Sequence, residues 1–508
     1  MADRENTNPD DTHDQTHDHR TTGLSPAGDA TSADTDVDTT LIIFGATGDL
    51  AARLLLPALG QLLDREPDRK VHLVGVGTSE LSQQEWRDKV ATAFGDDPSP
   101  CARQVVDDTE YRRVDITEPE QLAALLREVH GRPVLYFAVP PAVAQKSVEA
   151  LRHVDLPEGI VLAPEKPFGT DEASAREFNA LLADLVPENQ VFRVDHFLGH
   201  SILLDLFGIR FANRVFEPVW SADDIESVVI RYDETLGLEN RAGYYDKAGA
   251  LEDMLQSHLL QLLAVVAMDP PATLGERDLR DAVGATLRAV HVWGNDPVGS
   301  SRRARYTEGT VAGRHLPSYV DEPGVDPSRE TETLAEATFE VCNTRWQGVP
   351  FTLRSGKAME PPVKEIALTF RPVRHLPPQF GPAVERNVLR LQFGPDLMSL
   401  RLNVHDGTNP FDLNTVALEA GLGVGSLRAY AEVLSGILDG DPTLAVRADA
   451  AEQGWRIVQP VLDAWRAGKV PLDSYPAGSS GPEDWPSQRP HIATHTASDQ
   501  ETGVKDTR

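Results

Sequence analysis

The hydrophobic rhythm of the chain changes along its length, and the changes divide it. Residues 1–38 are rich in Asp, Thr and His and hold almost no large apolar side chain, so they read as a disordered acidic tail that cannot bury enough surface to fold. At Thr40-Leu-Ile-Ile-Phe44 an unbroken aliphatic and β-branched run begins, the pattern of a strand buried on both faces of a parallel sheet. It passes through Gly45-Ala-Thr-Gly48 into an apolar-periodic helix from Leu50 to Leu63. Val71-His-Leu-Val-Gly-Val76 follows at the distance expected of a βαβ unit, and Tyr136-Phe-Ala-Val139 and Gly159-Ile-Val-Leu-Ala163 supply later strands. Residues 39–198 are therefore expected to form a Rossmann-like, doubly wound parallel sheet, an α/β domain that binds a dinucleotide.

From residue 199 the alternation stops. Strand-like stretches at Ser227–Tyr232, Ala337–Val341, Lys364–Phe370, Val388–Phe393 and Met398–Val404 follow one another with no helix between several of them. The spacing predicts an α+β domain over residues 199–478, with a large antiparallel sheet flanked by helices at Gly249–Met268, Leu427–Leu438 and Asp449–Ala467. Pro323–Arg329 and Pro372–Pro382 read as loops, and residues 479–508 as a second polar tail.

Composition narrows the function classes. A chain of 508 residues has room for two domains, and its net charge of −31 argues against nonspecific nucleic-acid binding. No apolar run is long enough to span a bilayer, and the N-terminus lacks a signal-peptide core, so a cytoplasmic protein without a membrane partner is expected. Cys101 and Cys342 make no disulfide framework or cysteine-rich metal site, and His13, His17 and His19 read as part of a solvated tail; no metal is called for.

The candidate chemistry lies in Arg193-Val-Asp-His-Phe-Leu-Gly-His200, read with Asp253 and His258 on the apolar helix downstream. A neutral imidazole oriented by a carboxylate is the usual means of taking a proton near pH 7. A single histidine on an apolar helix is ordinarily a core residue, and Gly-x-x-Gly alone is an incomplete dinucleotide signature, as compatible with a plain strand–turn–helix as with a phosphate cradle; together they favour a functional cluster over a satisfied core. Beyond these residues the chain resembles glucose-6-phosphate dehydrogenases. The resemblance is carried by Gly45-Ala-Thr-Gly-Asp-Leu50, Glu165-Lys-Pro-Phe-Gly169, Arg193-Val-Asp-His196, Arg210-Phe-Ala-Asn-Arg214, Arg241-Ala-Gly-Tyr-Tyr-Asp246, Gln256-Ser-His-Leu-Leu-Gln261, Trp346-Gln-Gly-Val-Pro-Phe351 and Arg354-Ser-Gly-Lys357, in family order over residues 40–475.

The resemblance implies oxidation of the C1 hydroxyl of glucose 6-phosphate with hydride transfer to NAD or NADP, in a homodimer or homotetramer. It implies His258 as the base, Asp195 as its partner and Lys166 between sugar and coenzyme. Glu234, Asp253 and Lys357 would hold the sugar, His196 and His200 its phosphate, and Gly45, Thr47, Gly48, Asp49, Leu50, Thr78, Ser79 and Lys166 the coenzyme. Pro164 stands where an apolar β-former is expected and requires an unpaired N–H at that point.

Two regions depart from the family pattern. Phe197 replaces a tyrosine of the phosphate pocket, His200 a lysine and Ser201 an acid, and a further family cation falls on Pro362. The pocket is thus expected to lack a hydroxyl and one or two permanent charges, leaving His196 and a protonated His200. In the coenzyme loop Thr78 occupies the position of an arginine that binds the 2′-phosphate of NADP, and Glu80 follows it, which favours NAD unless Glu80 points to solvent. Three readings stay open: a glucose-6-phosphate dehydrogenase, an NAD-linked sugar dehydrogenase with weakened phosphate preference, and a catalytically degraded paralogue with a binding role. The retention of His258, Asp195, Lys166, Glu234 and Asp253 together argues against the last.

Overall fold

Five strands, β1 (Thr39–Phe44), β2 (Val71–Gly77), β3 (Glu110–Arg113), β4 (Arg132–Phe137) and β5 (Val161–Pro164), form an all-parallel sheet in the order β3-β2-β1-β4-β5. The computed structural model describes residues 39–485 apart from 240, 381–383, 406, 408, 409, 424 and 426. The acidic N-terminal tail with its three histidines, and residues 486–508, lie outside the described residues. Every residue of β1 is buried, as its unbroken apolar run requires of a central strand. The strand order reverses between β1 and β4, and open α/β sheets bind ligands beyond the strand ends at such a point.

β5 lies at the end of this sheet, where isolated bridges from Val191 and Val194 extend it, and Pro164 is its last residue, a position at which the donor that proline lacks interrupts the ladder least. The helix predicted from Leu50 opens with a π-helical turn, Ala51–Leu55, and continues as an α-helix over Leu56–Arg65.

The second sheet contains ten strands among the described residues. In chain order they are β6 (Ile225–Asp233), β7 (Val290–Val292), β8 (Ser301–Thr307), then, after a separate hairpin of β9 (Gly309–Val311) and β10 (Arg314–Leu316), β11 (Leu334–Val341), β12 (Phe351–Gly356), β13 (Lys364–Phe370), β14 (Val388–Gln392), β15 (Leu397–His405), β16 (Leu413–Gly421) and β17 (Leu472–Pro476). Its main path runs β16-β15-β14-β13-β6-β12-β11-β8-β17 and is mostly antiparallel, but β6 pairs in parallel with β12, and β8 with β17. The five predicted strands are present. β8, β12, β16 and β17 escaped notice because polar residues interrupt them, as in Ser-Arg-Arg-Ala-Arg-Tyr-Thr of β8.

Three sequence expectations need correction. The helix Ala429–Asp439 does not flank the large sheet. Its Ala431, Leu434 and Ile437 join the core of the parallel sheet with Leu55, Leu59 and Leu62, because its apolar stripe matches the stripe on the first helix. The continuous helix expected over Gly249–Met268 is three pieces: an α-helix over Ala242–Ala250 kinked at Gly249, a π-helix over Leu251–Leu259, and an α-helix over Leu260–Ala267. The polar segment from Ser479 docks at its start: Trp485 is buried, donates its indole N–H to Asp473 at 2.8 Å, and lies under the guanidinium groups of Arg302 and Arg354.

Candidate active site

Lys166, Glu234 and Lys357 each stand one or two residues beyond a strand end, of β5, β6 and β12 respectively. The parallel pairing of β6 with β12 sets Asp233 beside Gly356, so the next residues emerge together and Lys357 Nζ reaches Glu234 Oε2 at 3.2 Å. Lys166 donates to Asp253 twice, to Oδ1 at 2.9 Å and to the backbone carbonyl at 2.6 Å, with Tyr244 Oη also within 3.3 Å of Oδ1. The Lys166–Pro167 peptide is cis. Asp195 Oδ1 accepts from Phe197 N at 3.0 Å and forms a hydrogen bond with His258 Nδ1.

The π-helix brings two of these groups together. In an α-helix, residues five apart face different directions, whereas i→i+5 hydrogen bonding sets them one turn apart on one side. Asp253 and His258 are five apart, and both side chains enter the site. The kink that starts this register depends on Gly249, at φ +67°: a Cβ there would come within 2.3 Å of Glu332 Oε1. Glu332 in turn accepts from Leu251 N at 2.9 Å, holding the first π turn.

Burial dominates the electrostatics. It pushes His258 below the usual imidazole range, against the opposing pull of Asp195, so the ring is neutral at pH 7. Burial would raise Asp195, but His258, its hydrogen bond, His196 and Lys166 outweigh burial and hold the carboxyl at about 2. Burial disfavours the charge on Lys166, but Asp253 and Tyr244 raise it above the usual ammonium range; burial likewise opposes ionisation of Asp253, which Lys166 and Lys357 restore. His196 is pushed down by burial and by His258, and stacks on Tyr430 at 4.8 Å between centroids.

The turn after β1 approaches β4 closely. Gly45 has φ +80°, and a Cβ there would meet the Ala138 carbonyl at 2.3 Å. Gly48 N donates to Gly45 O at 2.9 Å, closing a turn whose next residues, Asp49 and Leu50, begin the helix. Thr47 Oγ1 lies 3.5 Å from Ser79 Oγ, so this turn and the loop after β2 meet. A glycine-cradled helix start at the switch point fits the pyrophosphate of a dinucleotide.

Family models match on both sides of this site: "Glucose-6-phosphate dehydrogenase, NAD binding domain" over residues 42–204 and "Glucose-6-phosphate dehydrogenase, C-terminal domain" over residues 207–489. The chain belongs to the glucose-6-phosphate dehydrogenase family. It is 35% identical over 477 residues to the glucose-6-phosphate 1-dehydrogenase of Treponema pallidum (strain Nichols), covering 87% of this chain and 92% of that protein. The Gluconobacter oxydans (strain 621H) enzyme of the same name is 37% identical over 467 residues, covering 87% and 94%. The crystal structure of glucose-6-phosphate 1-dehydrogenase from Mycobacterium avium superposes with a TM-score of 0.77 at 34% identity over 88% of this chain and 95% of that one. A structure of glucose-6-phosphate dehydrogenase in complex with its substrate glucose 6-phosphate gives 0.78 at 27%, over 89% and 97%. The chain is thus a nicotinamide-dependent oxidoreductase of this family, and none of its described helices is long and apolar enough to cross a membrane.

The structure revises both regions where this member departs from the family pattern. A cleft of about 600 Å³ opens beside Glu234, lined by His200, Ser201, Tyr232, Pro362, Lys364 and Asp396 among others. His200 does reach it, and burial pushes its imidazole below the usual range, with Asp396 pulling the other way, which disfavours in the free protein the protonated form that would assist a phosphate. The cleft nevertheless holds a lysine, Lys364, two residues past the proline that replaces the family cation.

At the coenzyme loop, Glu80 is not an unpaired repellent charge: Arg113, from the end of β3, donates to it at 2.6 Å and to the Thr78 carbonyl at 3.1 Å. Lys364, Tyr232, Arg113 and Tyr430 were all missed. Each is brought there from a different strand or helix, and no contiguous motif marks any of them in the sequence. Asp195, His196 and His258 also bring possible metal-ligand atoms within 4.8 Å of one another; the one Asp195 oxygen bonded to His258 already serves Phe197 N as well.

Proposed function

We propose that this protein oxidises the C1 hydroxyl of glucose 6-phosphate to 6-phosphogluconolactone, the first step of the oxidative pentose phosphate pathway. The observation that carries this reading is the buried Asp195–His258 pair, with a neutral imidazole beside the Lys166–Asp253 and Glu234–Lys357 pairs. His258 Nε2 takes the hydroxyl proton as the C1 hydrogen leaves as hydride, and Asp195 stabilises the imidazolium that forms. Nδ1, bonded to Asp195, carries the resident proton. Asp253 and Glu234 accept hydrogen bonds from ring hydroxyls, and Lys166 lies between sugar and coenzyme. Gly45, Thr47, Gly48, Asp49, Leu50, Thr78 and Ser79 would hold the dinucleotide coenzyme, whose nicotinamide would supply the hydride acceptor.

We read residues 39–198 as the coenzyme-binding part and 199–478 as the part that binds sugar and a second copy, in a homodimer or homotetramer. NAD is used at least comparably with NADP, because the cation nearest Thr78 is already engaged by Glu80. The test is an assay of glucose, glucose 6-phosphate and galactose 6-phosphate, each with NAD and with NADP, following reduced coenzyme. Turnover of glucose 6-phosphate above the other sugars supports the reading. Preference for unphosphorylated glucose would favour a sugar dehydrogenase, and no turnover in any cell would revive the paralogue.

A further inference from the structure

Three lysines surround the sugar site, and one differs from the others. Lys166 and Lys357 are each held by a carboxylate, whereas among the described residues Lys364 forms no ion pair. Its ammonium lies 3.2 Å from Tyr232 Oη and 4.3 Å from the centroid of that ring. The two residues are direct neighbours in the register of β13 and β6, so strand pairing, not a flexible side chain alone, sets them together.

The aromatic rings locate this pair relative to the base. Phe197 stacks flat on His258, with centroids 4.0 Å apart and planes at 11°, and Tyr232 packs on Phe197 at 4.9 Å. Tyr232 therefore stands two ring layers from His258, on the wall of the cleft that opens past Glu234. A hexose whose C1 hydroxyl meets His258 directs its C6 substituent away from the base. The other charged or titratable groups in the cleft are His200, Glu234 and Asp396. Glu234 is neutralised by Lys357, and Asp396 is held by the Ser201 hydroxyl and by Gly394 N at 3.1 Å.

We propose that Lys364 and Tyr232 bind the phosphate of the sugar, supplying the permanent cation and the hydroxyl that His200 and Phe197 cannot. This rests on the reading of the site as one for glucose 6-phosphate. The substitutions at Phe197, His200 and Pro362 then move the phosphate donors onto β6 and β13 instead of weakening recognition. Tyr232 Oη donates to a phosphate oxygen, and Lys364 contributes a charge-assisted hydrogen bond.

The test compares kcat/KM for glucose 6-phosphate with kcat/KM for glucose, together with the Kd of inorganic phosphate from calorimetry, in the full-length protein. Lys364→Ala should lower the glucose 6-phosphate to glucose ratio at least about tenfold and weaken phosphate binding by a similar factor. Tyr232→Phe should lower the ratio about threefold, and Lys364→Arg should keep most of it. A ratio and a phosphate Kd both within twofold of wild type in Lys364→Ala would overturn the assignment. Turnover of glucose shows that a variant has folded. If the wild-type protein does not turn over glucose 6-phosphate, the proposed function fails, and the phosphate Kd alone then decides for or against Lys364.

Discussion

The surroundings of His258 and the first two turns of the parallel sheet handle charge in opposite ways. At the base, His258 and Asp195 are 2% and 1% exposed, and the Lys166–Asp253 pair is 15% and 10% exposed. In the loop after β2 the Arg113–Glu80 pair is 60% and 82% exposed, and at the start of the helix after β1 the Arg53–Asp49 pair is 74% and 77%. Buried charges act at full strength and must be paired, since a partner left alone costs about 3–5 kcal/mol. Exposed pairs are screened and contribute about 0.2–1 kcal/mol. In the proposed function, proton abstraction then depends on a buried, mutually paired network, while coenzyme choice would rest on a few solvent-facing groups that single substitutions can retune.

The largest expected effect breaks the buried end. His258→Asn should lower kcat about 10²- to 10⁴-fold with coenzyme affinity retained, as measured by steady-state rates and coenzyme titration. A variant keeping more than a tenth of the wild-type kcat would remove His258 as the base. The pH profile tests the same end without mutation. Because burial holds His258 below its ordinary value of about 6.5, the base is neutral at pH 7 and gains its proton only in more acid solution. Accordingly kcat/KM for the sugar should stay level from pH 7 down to about 6.5, then fall towards tenfold per unit at lower pH. An acid limb centred above pH 7 would contradict a depressed imidazole.

The exposed end should respond more gently and only in coenzyme choice. Thr78→Arg should raise kcat/KM for NADP relative to NAD about tenfold or more, the effect of one new charge-assisted hydrogen bond to the 2′-phosphate. Wild-type preference for NADP above about tenfold would show that Arg113 leaves Glu80 when the coenzyme binds. Glu80→Gln sharpens the point: with Arg113 released, the NADP to NAD ratio should rise by up to about fivefold, the scale of an exposed charge interaction. A falling ratio would mean that Glu80 positions Arg113 instead of withholding it.

Much of the molecule was legible in local pattern. The run at β1, the Gly45–Gly48 turn, the alternation of strand and helix up to residue 198 and the antiparallel strands after it all express periodicities that burial imposes directly on neighbouring residues. His258, Asp195, Lys166, Glu234, Asp253 and Lys357 could be picked out as candidates because their motifs are short and contiguous, and the structure brings them together in three pairs. What escaped was set by contacts between residues far apart in the chain. A 3.6-residue period does not bring Asp253 and His258 onto one face; the π register does, and it depends on Glu332 meeting the kink at Gly249.

The docking of Ala429–Asp439 on the parallel sheet, and with it Tyr430 on His196, depended on which of two apolar faces fitted better. Charge depends on the same kind of distant contact. Glu80 and His200 were read as isolated groups, but Arg113 arrives from β3 to pair with one, and burial with Asp396 nearby sets the other. By itself the sequence determined the fold class and the family, because those follow from side-chain identity and local periodicity. Tertiary structure alone decided which charges are paired, which imidazoles burial pushes down and that Lys364 meets Tyr232, because desolvation and Coulomb terms depend on distances that the linear order does not contain.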